Sequence, residues 1–270
     1  MRWMLLFALL LGSGLVAAFE HTHSAWEGLL KRHVVLLDEG RASRLNYAGM
    51  AADREALAAY LAQLSAVDPQ EYQGWGRERR LAFLINAYNA FTVELILSNY
   101  PGVESIRDLG SLFRSPWKRR FFTLLGEKRH LDNLEQDMIR AAGVFDEPRI
   151  HFALNCASIG CPMLRNEAYV GARLEDQLED AMLRFLSDRD RNYFDATEGT
   201  LWVSKIFDWY GEDFADNSPP TSSLKGLFAS YADRLVESAE ARERLREGDY
   251  RIDFLDYNWR LNDTSKPTGN

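Results

Sequence analysis

The chain has 270 residues, of which 46% are hydrophobic and 12% aromatic, enough apolar side chain for one well-packed domain with embellishments. Its formal net charge is −8 with no basic cluster, which argues against a nucleic-acid or anionic-membrane partner. There is no internal repeat and no low-complexity block.

Residues 1–18 combine Arg2, an apolar run from Trp3 to Leu11 and a small-residue exit at Val16-Ala17-Ala18. This pattern is that of a secretory signal peptide cut after Ala18, because the apolar core is too short to span a bilayer. The leader contains no cysteine, so a lipid anchor is not expected, and it has no twin-arginine pair. No later stretch has about 18 uninterrupted apolar residues, so no integral membrane segment is expected in the mature chain, which is assigned to the periplasm or exterior.

From there the pattern is mostly helical. Apolar residues recur at helical spacing over Trp26–Leu37 and Met50–Leu64. Arg77–Ser98 is apolar on nearly all sides, as a buried central helix must be, and Tyr100-Pro101-Gly102 stops it. A hairpin is expected over Arg120–Leu131 around Gly126, followed by a helix over Asp132–Ala142. Leu174–Ser187 is helical, and Asn192–Asp195 and Thr200–Ser204 form a second hairpin around Glu198-Gly199. Ile206–Trp209, Leu224–Ala232 and Ala239–Glu247 are further helices, and the alternation over Tyr250–Leu261 closes the chain as a strand. The tail from Asp263 to Asn270 reads as disordered. The fold class expected is α+β, with a single domain over 19–262.

Polar residues in apolar surroundings mark candidate chemistry. Asn86 and Asn89 lie three apart, hence on one face of the central helix. A buried amide must be hydrogen-bonded, so they either fix neighbouring backbone or orient a catalytic group. Asp132 and Glu135 have the spacing of a capping box, and Glu135 is alternatively an acid partner for an imidazole. On a regular α-helix Arg140, five residues on, does not share the face of Glu135. His130, just before the cap, reads as a surface residue at a strand end.

The densest segment runs from Arg149 to Arg165 and holds both cysteines, Cys156 and Cys161, together with His151. An exported pair of cysteines suggests a disulfide. The same residues suit a thiolate nucleophile activated by His151, while a metal site has few donors here. His151 and Cys156 are five apart: they face opposite sides of a strand, or sit about 140° apart on a helix. The chain must therefore turn after Asn155, and Ala157-Ser158-Ile159-Gly160 is composed to allow it. Both cysteines remain candidates.

Four ordered motifs resemble one family. They are Phe83-Leu-Ile-Asn-Ala-Tyr-Asn-Ala90, Leu131-Asp-Asn-Leu-Glu135 with Arg140, Pro148-Arg-Ile-His-Phe-Ala-Leu-Asn-Cys-Ala-Ser-Ile-Gly-Cys-Pro162, and Tyr257-Asn-Trp-Arg-Leu-Asn262. They resemble the family catalogued as domain of unknown function 547, over most of the mature chain. The resemblance implies a papain-like or transglutaminase-like fold, mostly helical with a small antiparallel sheet against a buried central helix, and a Cys–His–acid centre. The matching positions are Asn86, Asn89, Glu135, Arg140, Arg149, His151, Cys156, Cys161 and Pro162. The family pattern often carries His directly after the Glu, where this chain has Gln136.

Two functions follow as expectations. One is an exported thiol-dependent hydrolase or acyltransferase acting on an amide or peptide-like bond of a small-molecule or peptide substrate, without an obligatory cofactor. Cys156 or Cys161 is its nucleophile and His151 its base; Glu135 or Asn86 orients the imidazole, loop N–H groups bind the oxyanion, and Asn89, Arg140 and Arg149 give support. The other is a non-catalytic binding or assembly protein with a Cys156–Cys161 disulfide. A thiol redox protein fits less well, the spacing not being Cys-x-x-Cys. Cleavage after Ala18 also exposes Phe19-Glu20-His21, whose amine, amides and imidazole match the nitrogen set that Cu(II) and Ni(II) favour.

Overall fold

The computed structural model describes residues 18–111, 114–214 and 223–265. The expected leader, apart from Ala18, and the segment 266–270 lie outside the described residues.

Helix α1 (Ser24–His33) buries Trp26, Leu29 and Leu30. It stops where Val34-Val35 begins a β-branched run, and β1 (Val34–Leu37) pairs antiparallel with β2 (Ala42–Leu45). The expected helix over Trp26–Leu37 is thus shorter and gives way to a strand. The next expected helix is broken at Asp53 into α2 (Tyr47–Ala52) and α3 (Arg54–Ser65), and a short α4 (Pro69–Gln73) follows.

Helix α5 (Arg77–Leu97) is the centre of the molecule, and its residues Leu81 to Val93 are buried without a break. Among the described residues it is the helix long and apolar enough to cross a membrane, yet 89% of its apolar window is buried inside the protein. The helices α1 and α3, the hairpin β3 (Phe122–Leu124) with β4 (Glu127–Arg129), and Ile150, Ala153, Leu154 and Ala157 all contribute to this first core. Gly126, with φ +76°, makes the hairpin turn that an L side chain resists.

The second half forms its own apolar cluster, centred on Phe152, Phe185, Phe207, Phe214 and Phe228. It is built from α6 (Leu174–Leu186), β5 (Tyr193–Asp195), β6 (Thr200–Val203), α7 (Ile206–Trp209), α8 (Gly211–Phe214), α9 (Leu224–Ser230), α10 (Ala232–Leu235), α11 (Ala239–Glu247) and β7 (Arg251–Phe254). β6 pairs antiparallel with β5 but parallel with β7. A parallel neighbour needs a long crossover, which the run from α7 to α11 provides. The protein is α+β; the described residues form three small sheets, one of them mixed, where one antiparallel sheet was expected.

Two further expectations change. The closing strand ends at Phe254, and residues 255–261 continue as an irregular strap. Asp263 is not the start of a disordered tail: it is 1% exposed, bridges to Leu45, and accepts a hydrogen bond from Tyr100 at 3.0 Å.

Candidate functional site

Pro148–Phe152 form a 3₁₀ turn that joins the two cores. Ile150 packs into the cluster around α5 and Phe152 into the second cluster, so His151 between them is held at the seam. There it lines a cleft of about 290 Å³ together with Cys156, Cys161, Glu135, Gln136, Asp132 and a set of aromatic side chains.

The cysteines are bonded to each other, and neither is free. The chain turns after Asn155 as expected, through Ala157 at φ +63°. Cys156 Sγ lies 3.2 Å from the Tyr257 hydroxyl and 3.3 Å from Ser158 Oγ. The loop is fastened from both sides. Asn89 accepts from the Asn155 amide at 2.8 Å and donates to the Ala153 carbonyl at 3.0 Å. Asn155 in turn accepts from the Ala157 amide and donates to the Pro162 carbonyl. The strap runs alongside: the Ile159 amide donates to Arg260 O, Gly160 to Asn258 O, and Asn262 to Ala157 O. Gly160 is required by this approach, since a Cβ there would lie 3.0 Å from Asn258 N and 3.1 Å from the Tyr257 ring.

Asn86, expected to orient the imidazole, is elsewhere. It pairs with both main-chain groups of Tyr169, accepting at 3.0 Å and donating at 2.7 Å. Arg149 is also remote from the chemistry and ion-pairs with Glu147, Glu175 and Glu179.

The acid beside the imidazole is Asp213, which the sequence reading missed. His151 Nε2 shares a 2.7 Å hydrogen bond with Asp213 Oδ2, and the imidazole stacks on Tyr210 at 4.0 Å. Arg140 grips the same carboxylate through Nε at 2.6 Å and Nη2 at 2.9 Å. Burial works against the Asp213 anion, but His151 and Arg140 outweigh it and hold the carboxyl below its ordinary range. Burial also lowers the proton affinity of His151, against the opposing pull of Asp213.

Glu135 touches Tyr210 instead, accepting from its hydroxyl at 2.9 Å. Asp132 makes no capping hydrogen bond; His130 Nδ1 accepts from the Asn133 amide at 2.9 Å in its place. The segment Asn133–Ile139 is a π-helix, with the Arg140 amide bonded to Glu135 O. Its five-residue hydrogen bond brings together positions that an α-helix separates. Hence Glu135 meets the hydroxyl of Tyr210 while Arg140 lies 4.7 Å from the ring centroid. Gln136, where the family pattern often has His, bonds both Arg140 and Glu135.

The opposite wall is aromatic. Tyr257 and Trp259 of the strap, Trp209 and Trp117 form a connected cluster, with Tyr257–Trp259 centroids at 4.5 Å and Trp209–Trp259 at 5.7 Å. The closing motif contained two of these residues, and the motif Phe83–Ala90 contained Tyr88; Trp117, Trp209 and Tyr210 carried no signal beyond being aromatic.

No group of three or more His, Cys, Asp or Glu able to hold a metal occurs among the described residues. At the expected Cu(II) sequence, the Phe19 amide donates to Glu71 at 3.0 Å, and His21 packs edge-on against Trp75 with centroids 4.4 Å apart.

Residues 72–186 match the model of the family described as protein of unknown function, DUF547, and this part of the chain belongs to that family. The matched segment spans α5, the π-helix and the cysteine loop, and ends before Tyr210, Asp213 and the aromatic strap. No curated protein and no solved structure matches the chain.

Proposed function

We propose that this is an exported binding or assembly protein that takes a small ligand in the cleft, with the Cys156–Cys161 bond as a structural tie. The observation that supports this is the state of the reactive groups. A thiol nucleophile needs a free thiolate; both sulfurs are joined, the chain has no third cysteine, and His151 Nε2 is committed to Asp213. Native protein treated with iodoacetamide should therefore gain no mass until a reductant is added. Alkylation of the unreduced protein would overturn the proposal. Export rests on the leader: terminal sequencing of protein recovered from the periplasm or medium should begin at Phe19.

A second reading has its own support. Both sulfurs and His151 line one cleft with Asp213 behind the imidazole, which is the ingredient list of a papain-like Cys–His–acid centre. In this reading, which includes the papain-like fold, reduction frees Cys156 as nucleophile of a hydrolase or acyltransferase. A reduced sample that hydrolyses activated esters, losing this activity in both Cys156→Ala and His151→Ala, would favour it.

A further inference from the structure

Each acid of the cleft except one has a cation beside it. Asp213 has Arg140 and His151, and Asp132 has Lys118 at 3.9 Å. Glu135 is only 9% exposed, and its hydrogen-bond donors are neutral: Tyr210, Gln136 and Tyr88. Among the described residues no lysine, arginine or histidine forms an ion pair with it. Arg140 and His151 feel its charge through space, but both hydrogen-bond Asp213. With no cation paired with it directly, a nearly buried carboxylate is left with only neutral groups in hydrogen-bond contact. Its effect reaches its neighbours: burial first, and then the Glu135 charge, raise the Tyr88 and Tyr210 hydroxyls above their ordinary range.

This carboxylate shares the cleft with Trp117, Trp209, Tyr257 and Trp259, which make up one wall, while His151, the disulfide and Asp132 help line the rest. Trp209, 44% exposed, packs on Tyr257 and Trp259 and presents part of its ring to the cleft. Aromatic faces attract a cation through their quadrupole, and most strongly when it is an organic one that sheds water easily. A volume of about 290 Å³ suits the end of a ligand rather than a macromolecular surface.

We propose that the cleft binds an alkylammonium group, with Glu135 as its counter-ion and the tryptophan–tyrosine cluster as its wall. The proposal rests on the binding reading of the same cleft and names its ligand class. A neutral sugar also suits aromatic walls, but it leaves the Glu135 charge unanswered.

The test is calorimetric titration of the full exported chain, disulfide intact, with n-butylammonium, tetramethylammonium, n-butanol and methyl glucoside. At least one cation should bind, and n-butanol should bind at least tenfold more weakly. Preference for n-butylammonium indicates N–H donation to Glu135; preference for tetramethylammonium indicates the ring wall. Glu135→Gln should weaken cation binding at least tenfold. Trp209→Ala should weaken it as well, and Trp209→Phe, which keeps a ring against Tyr257 and Trp259, should restore part of the loss. Equal affinity for n-butanol, or an unchanged cation affinity in Glu135→Gln, overturns the inference. Binding of methyl glucoside alone also overturns it but leaves the binding reading standing, which the iodoacetamide experiment judges separately.

Discussion

On one side of the cleft, side chains from the π-helix, the 3₁₀ turn and the α7–α8 corner hold one another by charge: Glu135 on Tyr210, Arg140 and His151 on Asp213. On the other, a covalent bond and main-chain hydrogen bonds tie the cysteine loop to α5 and to the strap. The first wall answers to protonation, the second to chain geometry and redox state.

The largest effect that would sharpen this contrast comes from Asn89. Replacing it by Ala strands the buried Asn155 amide and the Ala153 carbonyl, at a combined cost of about 2–4 kcal/mol. Urea denaturation should show that loss in Asn89→Ala, and a similar loss in Asn86→Ala through Tyr169. Hydrogen exchange should then separate them, with faster exchange across 153–163 in Asn89→Ala only. Equal exchange in both variants would show that the loop does not depend on α5.

Next comes the disulfide. It closes a loop of only five residues' separation, so the chain-entropy account gives about 2 kcal/mol. The double variant Cys156→Ser, Cys161→Ser should lose that much in denaturation while the near-ultraviolet signal of Trp209 and Trp259 persists, because the strap keeps its own hydrogen bonds. Loss of the aromatic signal would mean that the covalent bond alone holds this wall.

The two walls also differ in how far the sequence revealed them. Helix α5 was legible because a helix apolar all round has one place to go. The turn after Asn155 was legible because His151 and Cys156 fit no single regular element. The charged wall was not. Glu135 and Arg140 were separated by assuming the α-helical period, and the local switch to a π-helix removed that separation. Asp213 lies 62 residues from His151, and no local pattern specifies a pairing made by tertiary packing. The strap read as a strand because its residues alternate, yet past Phe254 its partner is the cysteine loop, a segment without strand character. The expected capping box lost to a histidine acceptor, His130, that serves the same backbone need.

The smallest expected effect tests the claim that the charged wall is the one that senses pH. The folded-state proton affinity of His151 lies below its ordinary value of 6.5, burial being the main cause. Between that lowered value and 6.5 the unfolded chain binds more protons than the folded one, so stability must rise with pH across this window. It is fully present above 6.5 and is lost as the medium is acidified. Buried His23, lowered to about 4, adds a slope of the same sign. Asp213 acts further down: its depressed carboxyl contributes stability above the ordinary carboxylate range of about 4 and loses it below. His151→Gln should therefore flatten, without abolishing, the fall in denaturation free energy as the pH drops below 6.5. Asp213→Asn should leave that window sloped, since burial still disfavours the imidazolium, and flatten the fall below about pH 4. An unchanged upper slope in His151→Gln would place the pH response in His23 and the first core, and the division between the two walls would fail.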